Sequence, residues 1–226
     1  MRRMCMGAEV PEIVVRRLPH YARALQWLEM DGVQTISSAE LGARLGMTPA
    51  QIRKDLSYFG EFGKQGMGYD VTFLYEQLRQ ILGVDREWLA ALVGIGDLGH
   101  AIARYGGFVK RGFKIAALFD QDPKKIGEQI GELEIISIDK LPMVVRGLRI
   151  QLGIIAVPAA AAQSVADLMV SAGIRGILSY APIHLHVPRG IRIRYIDPVV
   201  SLQSMTYHLK PGSPTQDGPD ESYVGE

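Results

Sequence analysis

Apolar positions along the first third of the chain recur at helical spacing. Leu18, Tyr21, Ala22, Leu25 and Leu28 line one side of the segment Ile13–Met30, and Gly32 follows, so the pattern predicts a helix there. Ser37 or Ser38, followed by Glu40 and Leu41, reads as the start of a second helix, with Leu41 and Leu45 on its apolar side and Gly46 at its end. Thr48 caps a third, with Pro49 at the first helical position and Gln51 at the third; this helix is expected to run to about Phe59. Two short helices joined by Leu45-Gly46-Met47-Thr48 form a helix-turn-helix. In the second of them Ile52, Leu56 and Phe59 point inward, while Gln51, Arg53, Lys54, Ser57 and Tyr58 fall on the exposed side.

From Gly60 to Gly68 there are four glycines in nine residues, with aromatic residues at each end, a pattern that predicts a tight two-stranded ribbon. A helix-turn-helix followed by such a ribbon is a winged helix, with Lys64 near the tip of the wing. Arg and Lys suit phosphates or guanine edges, and Gln and Ser suit either, so the expected DNA-facing set is Gln51, Arg53, Lys54, Ser57, Tyr58, Lys64, Gly66 and Tyr69. Three-helix units also serve as structural or protein-binding domains, and Arg-Lys on a helix is often only a solvated face.

Residues 88–197 change rhythm, with short β-rich runs alternating with helical ones. The apolar run Trp88–Gly96 is read as a strand leading into Gly94-Ile95-Gly96-Asp97-Leu98-Gly99 and then a helix through Val109. This is a G-x-G-x-x-G turn in the strand–turn–helix setting that a dinucleotide site requires. Gly94 permits the tight turn, Gly96 lets a pyrophosphate approach the backbone, and Gly99 lets helix and strand lie close, while the helix N-terminus offers free amides to the phosphates. A second strand, Lys114–Phe119, ends in Asp120, 21 residues after Gly99, where a carboxylate binds the adenosine ribose hydroxyls and favours NAD over NADP. Lys124 and Lys125 close by weaken that preference.

Further strands are expected at Ile135–Ile138, Leu152–Val157, Gly176–Tyr180 and Ile191–Ile196, with helices between them, the clearest being Ala159–Ala172. Val157, Pro158 and Tyr180 fall at strand ends on the rim where ligands bind, which completes a cofactor set of Gly94, Ile95, Gly96, Asp97, Leu98, Gly99, Asp120, Val157, Pro158 and Tyr180. A last helix, Pro198–Leu209, carries Val199, Leu202, Met205 and Leu209 on one stripe and has no later element to cover it. Such a helix either docks on its own domain or is donated to a second subunit. The fold class is therefore α/β. An N-terminal winged-helix domain (1–85) precedes a Rossmann domain, a doubly wound parallel sheet (86–195), then a C-terminal helix (196–209) and an acidic tail expected to be disordered (210–226).

Composition narrows the function. The 226 residues carry a net charge of +1, and the first 85 hold ten Lys/Arg against ten Asp/Glu, so any nucleic-acid contact rests on local arrangement rather than on bulk charge. The single cysteine, Cys5, excludes an internal disulfide framework and a multi-cysteine metal site. No apolar run is long enough to span a bilayer and no export signal is visible, so a cytoplasmic location is expected. The enzyme alternative, a small NAD-dependent dehydrogenase or CoA-binding protein, needs a proton donor near the nicotinamide. His100, His184 and His186 are the candidates, and none has a sequence partner that completes a catalytic arrangement. A sensor is expected, not an enzyme.

The runs Arg53–Gly60 (RKDLSYFG), Gly66–Val71 (GMGYDV), the Gly94–Gly99 turn continuing to Tyr105-Gly106-Gly107-Phe108, and the closing Asp197–Gln203 segment strongly resemble redox-sensing transcriptional repressors of the Rex family. The resemblance covers about residues 10–209. It implies a homodimer whose winged helices bind an inverted-repeat operator and whose Rossmann domains bind NADH or NAD. NADH would release the DNA and derepress genes of fermentative and respiratory metabolism. It also implies that the C-terminal helix is swapped between subunits, that Arg23 and Asp197 form a charge pair, and that Tyr105 captures Asp197 when NADH is bound. The chain departs from the family pattern at Asp97, where Asn is usual, at Ser179, where Asn is expected, and at Pro198, where a larger apolar residue is common.

Overall fold

The computed structural model describes residues 10–64 and 66–210, and the expected tail beyond Lys210 lies outside them. The chain divides into two compact units between Asp85 and Arg86.

In the N-terminal unit, α1 (Glu12–Met30) buries Leu18, Tyr21, Leu25 and Leu28. α2 (Ser38–Leu45) opens with a reciprocal capping box: Ser37 Oγ accepts from the Glu40 amide, and the Glu40 carboxylate accepts from the Ser37 amide. It closes at Gly46, which takes the left-handed conformation. α3 (Pro49–Ser57) starts at Thr48, whose Oγ1 accepts from the Gln51 amide at 3.2 Å. Three short strands, β1 (Thr35–Ile36), β2 (Gly63–Lys64) and β3 (Gly68–Asp70), pair antiparallel in the order β1-β3-β2. The sequence reading missed β1, which has only two residues and holds by pairing with β3. It also missed α4 (Val71–Ile81), capped by Asp70 and buried through Val71, Leu74 and Leu78.

The second unit is a seven-stranded sheet in the order β10-β9-β8-β4-β5-β7-β6. Its strands are β4 (Trp88–Val93), β5 (Phe113–Asp120), β6 (Gln129–Ile130), β7 (Leu133–Ser137), β8 (Leu152–Ile155), β9 (Gly176–Ser179) and β10 (Arg192–Tyr195). All are parallel except β6, which forms an unforeseen hairpin with β7. Strand order reverses between β4 and β8, and a doubly wound sheet binds its ligand at such a point. Successive β4 residues feed two cores. Ala91 and Val93 pack with α6 (Leu141–Gly147) and α7 (Ala159–Ala172). Ala90 and Leu92 pack toward α5 (Asp97–Arg104).

Two expectations need correction. The strand expected to reach Gly96 ends at Val93, because Gly94 turns the chain at φ +95°. The helix expected to continue through Val109 ends at Arg104, and Tyr105 is already extended. Gly106 and Gly107 follow, and glycine is a poor helix residue. Gly107 also lies against the Tyr105 ring, where a Cβ would come within 2.4 Å. After β10, α8 (Pro198–His208) has no buried residue: of its expected stripe, Val199, Leu202 and Met205 are 56–59% exposed, and Leu209, just past the helix end, is 78% exposed.

Candidate nucleic-acid face and dinucleotide site

α3 is fastened to α1 by a polar cluster that the sequence reading did not find. Asp55, 2% exposed, points inward between Ile52 and Leu56 and meets Arg17 of α1 through both oxygens, Nε at 2.8 Å and Nη2 at 2.9 Å. The buried Tyr21 hydroxyl donates to the same carboxylate. Burial, and then the bond to Asp55, push the Tyr21 hydroxyl pKa far above its ordinary value. Only Nη2 makes a hydrogen bond, to Oδ1, while Nε stays beside Oδ2 as the second point of the ion pair, so the pair ties α3 to α1 and bears on how α3 presents its outer face. The hint available in the sequence was an acid placed between two inward-facing residues.

On that outer face Arg53, Lys54 and Ser57 are exposed, while Gln51 and Tyr58 are half-buried. Arg53 donates to Ser38 Oγ at 2.9 Å, which braces it against the start of α2. The Ser57 hydroxyl turns back to the Lys54 carbonyl. In the wing, Lys64 pairs with Gly68 in the ladder, and Gly66 is exposed with φ +82°. Tyr69, expected on the DNA face, is instead 8% exposed and belongs to the core of this unit. Strand alternation turns it inward, where its ring covers Gly63, and burial raises its hydroxyl pKa.

In the Rossmann unit the glycine turn joins β4 to α5. A Cβ at Gly94 would lie 2.6 Å from the Ala156 carbonyl oxygen and from Val157, and one at Gly99 would lie 2.0 Å from the Gly94 carbonyl oxygen. Both positions therefore exclude a side chain. Gly96 differs: a Cβ there meets nothing within 4 Å, so the space beside the N-terminus of α5 is open, and no side chain caps that terminus. Open space in front of uncapped helix amides fits a pyrophosphate. Asp97 and Leu98 are exposed in the first turn, and Ile95 is buried.

Asp120 closes the site at the end of β5. Its Oδ2 accepts from the Ile95 amide at 2.7 Å, its Oδ1 accepts from the Asp122 amide at 2.9 Å, and Lys125 Nζ lies 3.4 Å away. Burial alone would raise its pKa, but the Asp122 and Ile95 amides and the Lys125 ammonium outweigh that and hold it below the ordinary value. The carboxylate therefore pins the glycine turn and stays charged. Oδ2 accepts from both the Ile95 amide and Lys125 Nζ, and Oδ1, which accepts only from the Asp122 amide, retains a lone pair for a ribose hydroxyl. Val157 packs on Gly94, and Pro158 precedes α7. The Tyr180 amide donates to the Ile155 carbonyl, which brings Tyr180 to the same rim. Ser179 is fully buried, its hydroxyl accepting from the Ala181 amide.

The three residues that the family resemblance marks for a switch, Arg23, Tyr105 and Asp197, fall in both units. Arg23 is exposed on α1, one turn from His20, whose pKa is lowered by burial and then by Arg23. Tyr105 is 56% exposed just past α5 and packs edge-on against Phe108. Asp197 caps α8 by accepting from the Val199 amide at 2.9 Å.

A winged helix-turn-helix joined to a Rossmann unit with an open dinucleotide turn defines a nucleotide-responsive DNA-binding regulator. Residues 9–57 match the family described as "Putative DNA-binding protein N-terminus", and residues 85–183 the one described as "CoA binding domain". The redox-sensing transcriptional repressor Rex of Roseiflexus sp. (strain RS-1) is 57% identical over 201 residues, which cover 89% of this chain and 91% of that protein. The crystal structure of RSP in complex with β-NAD+ and operator DNA is 39% identical, with a TM-score of 0.85 over 90% of this chain and 94% of that one. RSP in complex with β-NADH is 37% identical, with a TM-score of 0.82 over 90% and 95%. The chain belongs to the Rex family of redox-sensing transcriptional repressors.

Proposed function

We propose that this chain represses transcription as a homodimer, holding an inverted-repeat operator when NADH is scarce and letting it go when NADH fills the Rossmann units. The observation that carries the reading is the pairing, in one chain, of an α3 braced through Asp55 with an open, uncapped α5 N-terminus beside Gly96. The solved relative RSP, with NAD+ and operator DNA in one structure and NADH in another, supports it.

Each residue then has a role. Gln51, Arg53, Lys54, Ser57 and Tyr58 meet the major groove, with Lys64 and Gly66 of the wing against the backbone. Gly94, Ile95, Gly96, Asp97, Leu98 and Gly99 receive the pyrophosphate, Asp120 the ribose, and Val157, Pro158 and Tyr180 the far end of the dinucleotide. NADH supplies only its reduced ring as the quantity sensed, and no substrate is converted. α8 is the dimer element: burying Val199, Leu202, Met205 and Leu209 on a partner is worth ~1.5–3 kcal/mol for each side chain. Arg23 pairs with Asp197 in the DNA-bound form, and Tyr105 takes Asp197 in the released form. Coupling of ~1–3 kcal/mol is within reach of one such exchange. The chain acts in the cytoplasm; among the described residues no helix is long and apolar enough to cross a membrane.

The test is a titration of a labelled inverted-repeat duplex, half-sites a whole number of ~10–10.5 base-pair turns apart, with NADH, NAD+ and coenzyme A at fixed salt. NADH should release the duplex at the lowest concentration. Retention of the duplex at saturating NADH refutes the reading, and release by coenzyme A alone moves the ligand to the other class.

A further inference from the structure

The edge of the Rossmann sheet opposite the glycine turn carries a feature that the sensor reading does not use. There the C-terminal ends of α6 and α7 and the N-terminal ends of β8 and β9 border a depression of about 360 Å³. Val145 and Ile150 are buried beneath it, and Arg146, Arg149, Arg175 and Gln151 line it. Arg146 donates to the Ser171 carbonyl at 3.4 Å, and among the described residues none of the three arginines pairs with a carboxylate. The one acid between Leu141 and Gly176, Asp167, accepts from Gln163 instead.

Helix ends explain part of this charge. Each C-terminus carries roughly half a negative charge, so two helices call for about one cation. Three guanidiniums leave a surplus of about two, in a chain whose total net charge is only +1. Arg149 adds a second, independent sign. It is the only non-glycine residue with positive φ among the described residues, at 54°. The Ile150 amide closes on the Val145 carbonyl at 2.9 Å and the Arg149 amide on the Arg146 carbonyl at 3.3 Å, the double closure that ends a helix in a left-handed residue, most often glycine. Arg149 holds that place under strain, and strained residues of this kind cluster at ligand clamps.

We infer that this depression is a second anion site on the Rossmann unit, taking a compact phosphorylated ligand with at least two negative charges. Guanidinium forks match phosphate oxygens two at a time. The apolar floor and a volume at the lower end of small-ligand pockets suit a small molecule. The site lies at the other end of the strands from the α5 N-terminus, so both can be filled at once.

The test is calorimetry on the full-length protein saturated with NADH, so that the α5 amides are occupied, with pyrophosphate and ADP as parallel probes. One pyrophosphate should bind per chain, and R146A/R175A should weaken it at least tenfold, as expected for losing charged hydrogen bonds, with NADH affinity unchanged. ADP binding more tightly than pyrophosphate makes the source a nucleotide; equal affinity makes it the phosphates alone. R149G separates ligand from fold, because it should raise the thermal midpoint while weakening pyrophosphate at least tenfold. Failure of pyrophosphate to bind, binding that survives R146A/R175A, or binding of a random-sequence duplex that these substitutions abolish in place of pyrophosphate overturns the inference.

Discussion

Replacing Asp55 by Ala should destabilise the DNA-binding unit far more than the loss of a surface charge would. The substitution leaves the Arg17 guanidinium, 9% exposed, without its counter-ion, and the fully buried Tyr21 hydroxyl without its acceptor. Removing one partner of a buried ion pair costs ~3–5 kcal/mol, against ~5–15 kcal/mol for the stability of a whole domain. In a unit of this size each kcal/mol lowers the midpoint by ~4–8 °C, so the first thermal transition should fall by at least ~12 °C. The triple variant R17M/Y21F/D55L removes every polar group of the cluster together and should recover most of that loss, because apolar replacement of a buried pair is often neutral. Scanning calorimetry of the full-length protein reads both variants, with NADH affinity as the control for the Rossmann unit. The triple variant should still bind the operator more weakly than the parent, since the ion pair that ties α3 to α1 is gone. A shift below ~3 °C for D55A, or a triple variant as unstable as D55A, refutes the reasoning about buried charge.

Gly96→Ala should leave the thermal midpoint unchanged, since its methyl meets nothing, yet weaken NADH at least ~tenfold by entering the space left for the pyrophosphate, as a fluorescence titration would report. Gly99→Ala should instead cost ~3 kcal/mol or more, because its Cβ would meet the Gly94 carbonyl oxygen at 2.0 Å; calorimetry distinguishes the two glycines. The lowered Asp120 pKa stabilises the fold above the ordinary value of 3.8, and that contribution fades as pH falls through the lower folded value. Asp120→Asn should therefore flatten acid unfolding below about pH 4, which denaturant titrations at several pH values would check. Lys54→Ala should weaken operator binding and reduce the slope of log K against log salt by ~0.9, leaving NADH affinity alone.

Much of this architecture was legible because its signals are local. Thr48-Pro49, the Ser37–Glu40 box and Gly46 each act within one turn of chain, so the helix-turn-helix could be read from them directly. Gly94, Gly96 and Gly99 were legible for the same reason, although only the structure separated the two crowded positions from the open one. The reading of Tyr69 failed because a strand residue has two faces, and which one is buried depends on the partner strands and on α1 and α4. The reading of the helix after the glycine turn failed because Gly106-Gly107 outweighed the apolar residues beyond it.

The order of the elements, the winged helix-turn-helix and the dinucleotide turn follow from the amino acids alone, because capping, glycine geometry and hydrophobic period operate over a few residues. The Arg17–Tyr21–Asp55 cluster spans as many as 38 residues, and the hold of Asp120 on the Ile95 amide spans 25. Folding brings such partners together, and no short-range pattern encodes them. The same holds for the meeting of Arg146, Arg149 and Arg175 at two helix ends. Tertiary packing decided these contacts, since burial turns an ordinary charged side chain into one that must find its partner.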